Sequence, residues 1–242
     1  MMAEHIFTGI SNVIDEFRET AQCLWEKGWA ERNAGNISQN VSAQIDKNDL
    51  PGRKFRELKF DHTFESLTGE FLLVTATGAG MRHLAKDPLP YLCILEISEK
   101  GNSCRIITHG DNKIKPTSEL TTHLAVQDIL KTQQREDKTV LHSHVTELIA
   151  LTQIHKYAYD KPLKKLLISM HPELILFLPQ GIGFVPYMLT GTDDLAGYTM
   201  KELMRHQITV WEKHVAVSVG RSAIEAFDYL DIVAKSAEIY FK

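Results

Sequence analysis

The apolar positions of this chain change period several times along its length, and each change predicts an element. Ile10, Val13, Ile14, Phe17, Ala21, Leu24 and Trp25 recur at steps of three and four, the spacing of one helix face, and the pattern stops near Gly28. Ile37, Val41 and Ile45 then recur among polar residues, as in a half-buried strand. Residues 46–69 are polar, carry Pro51 and Gly52, and read as a long loop inserted within the domain. Phe71–Thr75, Tyr91–Ile97 and Arg105–Thr108 are strand-like runs, the last two separated by a turn at Gly101-Asn102. Leu120, Leu124, Gln127 and Leu130 mark a helix after Pro116, with Thr117 or Ser118 available as its cap. Thr139–Val145 reads as a strand and residues 147–152 as a helix. Leu174–Leu178 and Ile182–Val185 read as a strand pair punctuated by Pro179 and Gly181. Thr192 opens a helix that ends near His206, Val215–Val219 is strand-like, and Ile224, Phe227, Leu230, Ala234 and Ala237 line a final amphipathic helix. Adjacent strands beside interspersed helices predict one α/β domain of α+β character, with a mostly antiparallel central sheet flanked by helices.

Composition narrows the function classes. With 242 residues, 43% of them hydrophobic, the chain is long enough to bury one large core. The net charge of −4 is small, basic residues are scattered, and the Lys161–Lys165 cluster reads as a solvated surface, so nucleic acid is not an implied partner. Cys23, Cys93 and Cys104 are odd in number and lack zinc-finger spacing, which predicts reduced thiols. No signal region opens the chain and no apolar run reaches membrane-spanning length, so the expectation is a soluble, cytoplasmic protein.

The candidate chemistry centres on histidine. His142 and His144 stand at i and i+2 in a strand-like run, so both point to the face that also carries Val140. Two imidazoles side by side suit a divalent metal, and His214, immediately before Val215–Val219, is a candidate third donor; three histidines with one open position make a catalytic zinc arrangement. Spacing alone also permits unliganded strand histidines. Glu119 lies in the first turn of the predicted helix, where the helix dipole favours the ionised carboxylate of a base or metal ligand. Thr117 and Ser118 put hydroxyls and backbone N–H groups at that helix start, where an anion would bind. Asn33-Ala-Gly-Asn36 and Thr77-Gly78-Ala-Gly80 are further tight turns with amide donors, readable as phosphate cradles or as ordinary turns.

These segments also carry a resemblance. Arg32-Asn-Ala-Gly-Asn36-Ile-Ser, Val74-Thr-Ala-Thr-Gly78, Pro116-Thr-Ser-Glu119-Leu, His142-Ser-His144 with Leu148-Ile-Ala-Leu-Thr152, and Pro179-Gln-Gly-Ile-Gly183 follow the order seen in class II, zinc-dependent sugar-phosphate aldolases. The chain resembles that family from about residue 10 to about residue 240. Within the family, Trp25-Glu-Lys-Gly-Trp29-Ala-Glu-Arg-Asn33, the 46–69 insertion and Trp211-Glu-Lys-His214 look most like members that cleave L-rhamnulose 1-phosphate to dihydroxyacetone phosphate and L-lactaldehyde. The resemblance implies one zinc ion held by His142, His144 and His214, with Glu119 as the acid/base. It implies that Asn33, Asn36, Thr77, Gly78, Thr117 and Ser118 contact the ketose phosphate. It also implies a homotetramer in which Glu173, in Met170-His-Pro-Glu173-Leu, reaches a neighbouring subunit's site. One departure is Thr77, which stands where the family usually has serine. Fuculose-phosphate cleavage, pentulose-phosphate 4-epimerisation and a non-catalytic adducin-like interaction domain are the alternatives on the same fold; the epimerases usually carry Asp where Glu119 stands.

Overall fold

The computed structural model describes residues 2–47, 55–109, 113–190 and 192–242. Its strands are β1 (Asn36–Asn40), β2 (Arg56–Lys59), β3 (Phe71–Thr75), β4 (Leu92–Ile97), β5 (Ser103–Thr108), β6 (Thr139–Ser143), β7 (Gly183–Val185), β8 (Ile208–Trp211) and β9 (Val215–Gly220). They form one sheet in the order β2-β5-β4-β3-β1-β6-β9-β8-β7. Every pairing is antiparallel except β7 with β8. The helices are α1 (Met2–Gly9), α2 (Ser11–Glu26), α3 (Met81–Leu84), α4 (Leu120–Thr132), α5 (Thr146–Gln153), α6 (Asp160–Met170), α7 (Pro172–Phe177), α8 (Asp193–Leu203) and α9 (Ala223–Phe241). The mostly antiparallel sheet flanked by helices is the predicted architecture.

Strand alternation sends successive side chains to opposite faces, and both faces are covered. Leu73, Ile94, Leu141 and Ala216 pack with Phe17 and Leu24 of α2 and Leu230 of α9. Leu72, Val74 and Leu95 meet Leu120 and Leu124 of α4, and Val140 and Val217 meet Val126 and Leu130 of α4 with Leu195 of α8. Burial on both faces explains why β3 reads as an unbroken apolar run rather than an alternating one. His142 shares its strand face with Val140, so it faces the α4 side of the sheet.

Several expectations are corrected. The 46–69 segment is not all loop: Arg56–Lys59 forms the edge strand β2 and Glu65–Leu67 a 3-10 turn, while residues 48–54, with Pro51 and Gly52, lie outside the described residues. Charged side chains on an edge strand discourage pairing with other chains, and here they hide the apolar alternation. Leu174–Leu178 is not a strand. Pro172 starts α7, and burial falls on Leu174 and Leu178, four residues apart, as on one helix face. Trp25 leaves the α2 stripe and is exposed. The Lys161–Lys165 cluster belongs to α6, which buries Leu163 and Leu167 beneath its lysines. Cys23, Cys93 and Cys104 are free thiols, and burial pushes Cys93 and Cys104 up to about 12. Among the described residues, no helix is long and apolar enough to cross a membrane.

Candidate active site

The sheet's register assembles the first part of the site. Asn36 on β1 lies directly opposite His142 on β6, and its amide nitrogen sits 3.1 Å from His142 Nδ1. His144 follows the end of β6. Its backbone N–H donates to the carbonyl of Trp29 at 3.1 Å, an oxygen that also accepts from Ser143 Oγ. A tight turn between β8 and β9, with Lys213 at φ 61°, delivers His214. The end of β6 and the β8–β9 turn thus bring the imidazoles together: ring centroids are 5.9 Å apart for His142 and His144, 6.1 Å for His142 and His214, and 5.4 Å for His144 and His214. Trp211 packs its ring against His142 and His214 at 5.5 and 5.8 Å.

These side chains fit a metal by one decisive feature. His142 Nε2 is buried and has no hydrogen-bond partner, an arrangement that costs about 1–3 kcal/mol unless something binds the nitrogen. It lies 3.3 Å from Glu119 Oε2, without the alignment of a hydrogen bond. His144 Nδ1 is 2.6 Å from Glu31 Oε1, a carboxylate–imidazole contact that orients the ring and leaves Nε2 free. Among the described residues, no three His, Cys, Asp or Glu side chains already stand in metal-holding geometry. The three rings nonetheless neighbour one another, with centroids 5.4 to 6.1 Å apart.

Glu119 occupies the N-cap position of α4 and makes no capping bond with its side chain; Thr117 Oγ1 instead accepts from the Glu119 N–H at 3.3 Å. Burial dominates and raises the pKa of the Glu119 carboxyl, with His144 and an Asn36 hydrogen bond pulling the other way. His142 is pushed well below the usual imidazole range, chiefly by burial and then by His123, His144 and His214. His214 is lowered too, by burial and by His144, against Glu31. Neutral imidazoles are the form that ligates metal.

The turns complete a cavity of about 340 Å³ lined by Asn33, Asn36, Thr77, Gly78, Thr117, Ser118, Glu119, His142 and His144. Gly78 adopts φ 77° and Gly35 φ 84°, left-handed conformations that favour glycine. The Thr77 N–H donates to Lys115 O at 2.8 Å and the Thr117 N–H to Thr75 O at 2.9 Å, so the two loops are strapped edge to edge. Thr77 also donates its hydroxyl to Pro116 O. Two of the expected site residues do not line this cavity: His214, which meets the rings of His142 and His144 beside it, and Glu173, which sits exposed on α7 with its carboxylate 3.0 Å from His171 Nε2.

The class II aldolase and adducin N-terminal domain profile matches residues 15–241. The chain belongs to this family. The rhamnulose-1-phosphate aldolase of Bacteroides thetaiotaomicron is 36% identical over 96% of this chain and 86% of its own length. The rhamnulose-1-phosphate aldolase of Listeria welshimeri is 32% identical over 94% and 82%. A sugar-phosphate aldolase structure from Thermotoga maritima matches with a TM-score of 0.81 at 30% identity, covering 96% of this chain and 94% of that one. An L-fuculose 1-phosphate aldolase matches with a TM-score of 0.62 at 18% identity, over 96% and 85%, a likeness of fold. In this class II aldolase the sequence reading missed Glu31, Trp211 and His123. The signal for His123 was present, since Glu119, His123 and Gln127 recur every fourth residue on α4 as a polar stripe on a buried helix.

Proposed function

We propose that the chain is a single class II aldolase domain that cleaves L-rhamnulose 1-phosphate reversibly to dihydroxyacetone phosphate and L-lactaldehyde, with zinc held by His142, His144 and His214. The observation that carries this reading is the partnerless His142 Nε2, beside Glu119 and the rings of His144 and His214, at a cavity walled by amide-rich turns. The relatives named as rhamnulose-1-phosphate aldolases, which this chain matches over nearly its full length, supply the substrate. When bound, zinc acts as a Lewis acid that stabilises negative charge on the dihydroxyacetone phosphate half.

The remaining work falls to the protein. The turns at Asn33, at Thr77-Gly78 and at Thr117-Ser118 hold the phosphate and hydroxyls, so that remote binding orients the bond that breaks. Glu119, beside the ring of His142, moves the proton at the carbon that becomes nucleophilic in the synthetic direction. Burial raises its pKa above the ordinary carboxylate value, and a carboxyl at this position can both give and take a proton. Glu173, held outside its own cavity, serves a neighbouring subunit's site in a homotetramer, where it or a water handles the aldehyde oxygen's proton. We place the enzyme in the cytoplasm, in rhamnose catabolism.

The test is direct. Purified protein with zinc is incubated separately with L-rhamnulose 1-phosphate, L-fuculose 1-phosphate and L-ribulose 5-phosphate, and dihydroxyacetone phosphate is assayed. Release from the first substrate, faster than from the second, is expected. Epimerisation of the third without release from the others contradicts the proposal.

A further inference from the structure

A buried polar series runs from α4 to the back of His142. The Asn36 Nδ2 group faces His142 Nδ1 at 3.1 Å, and Asn36 Oδ1 is hydrogen-bonded to His123 Nε2. His123 Nδ1 lies 2.8 Å from Ser38 Oγ. Gln127 ends the series: its Nε2 donates to Lys138 O at 2.9 Å and lies 3.3 Å from both Ser38 O and Ser38 Oγ. All five side chains are buried. Burial also lowers the His123 pKa to about 3, so its ring is neutral, with one nitrogen donating and the other accepting.

The direction of this series follows from the Asn36 amide, whose Nδ2 faces His142 Nδ1 and whose Oδ1 faces His123 Nε2. Gln127 donates to Ser38 Oγ, a hydroxyl that can accept there and still either donate to or accept from His123. Ser38 then donates to His123 Nδ1, His123 donates from Nε2 to Asn36 Oδ1, and Asn36 donates from Nδ2 to His142 Nδ1. This setting leaves the His142 proton on Nε2, the nitrogen nearest Glu119. An imidazole that ligates through Nε2 carries its proton on Nδ1 instead. That Nδ1–H requires an acceptor, and the group opposite it is the Asn36 amide. Turning the amide by half a rotation puts Oδ1 against His142 and Nδ2 against His123, and releases the Asn36 hydrogen bond to Glu119. His123 must then accept at Nε2 and donate from Nδ1 to Ser38.

We propose that Asn36 and His123 are positioning residues that form a tautomer relay for His142: metal loading turns the Asn36 amide and shifts the His123 proton from Nε2 to Nδ1. The inference rests on His142 being a metal ligand. Each ring keeps one proton throughout, so no proton is taken up or released by the relay. His123 does not itself line the cavity and reaches it through Asn36, so its tautomer reports the state of the site from behind the lining.

The experiment uses ¹⁵N-histidine-labelled full-length protein, with ring-nitrogen NMR shifts recorded before and after one equivalent of zinc. The expected result is an Nε2–H tautomer for His123 without zinc and an Nδ1–H tautomer with it. Zinc uptake with an unchanged His123 tautomer overturns the relay alone. Failure to take up zinc overturns the proposed function as well. Two variants give a second reading by zinc affinity, which is independent of turnover. His123→Leu, which removes both ring nitrogens, should weaken zinc binding about tenfold or more, the usual scale for a partner behind a ligand. His123→Gln, whose amide both donates and accepts, should restore most of that affinity. Equal weakening in both variants contradicts the relay.

Discussion

The imidazole cluster and the anion cradle share one cavity but are built on opposite plans. His142 is buried, sits on a central strand, and its Nδ1 is held by a partner directly across the sheet. Asn33, Thr77, Gly78 and Ser118 are exposed and sit on turns, where position depends on backbone conformations such as φ 77° at Gly78. The difference teaches where each half is vulnerable. A rigid, hydrogen-bonded ligand set fails when one side chain is removed, whereas a cradle made largely of backbone donors loses its grip by degrees.

That contrast is broken most sharply at the cluster. His142→Ala and His214→Ala are expected to lose stoichiometric zinc by elemental analysis and to lower turnover on the order of 10³-fold or more, the scale of metal-assisted charge stabilisation. Full zinc occupancy in either variant removes that residue from the ligand set. Next comes Glu119→Gln, which should keep zinc and lose about 10²-fold or more in turnover, consistent with a lost proton-transfer group. Wild-type turnover would sink its assigned role. At the cradle, Gly78→Ala meets no atom within 4 Å but must adopt φ 77°. The strain, roughly 1 kcal/mol, should displace the turn and raise KM for the sugar phosphate several-fold with a smaller change in kcat. A fall in kcat with KM unchanged would place this turn in the chemistry instead.

A separate effect concerns pH and the zinc-stripped protein. Folded His123 is held at about 3 by burial, far below its ordinary 6.5. As pH falls below 6.5 the unfolded chain therefore gains a proton there before the folded chain does. Stability from this residue is complete above pH 6.5 and declines toward pH 3 by up to about 1.4 kcal/mol per pH unit, and His142 acts in the same direction. Urea midpoints at pH 7, 6 and 5 should fall less steeply in His123→Leu than in the wild-type chain. Parallel slopes would mean that His123 is not buried as a neutral ring.

The two halves also differed in how far they could be read from the sequence. Periodicity marked α2, β3, β4, α4 and β9 because each buries an apolar stripe or run, and local motifs named nine of the residues that meet in the cavity. Short or charged elements did not announce themselves. β2 is a charged edge strand, β8 spans only Ile208–Trp211, and α7 buries only Leu174 within its length, so a run of Leu, Ile and Phe passed for a strand. For Glu119 the dipole at a helix start is visible in a sequence, whereas the burial that raises its pKa is not. The polar partners behind the cluster, Glu31 and His123, lie 113 and 87 positions from the side chains they hold, His144 and Asn36. Such contacts appear only once β1, β6 and α4 are packed together.

The central claim is that the sugar phosphate is cleaved at a metal held by His142, His144 and His214. The most direct test strips the protein with a chelator, adds zinc back in steps, and follows dihydroxyacetone phosphate release from L-rhamnulose 1-phosphate against bound zinc. The account predicts no release from stripped protein and a linear recovery that ends at one zinc per chain. Undiminished release without zinc, or full zinc loading without release, would contradict it.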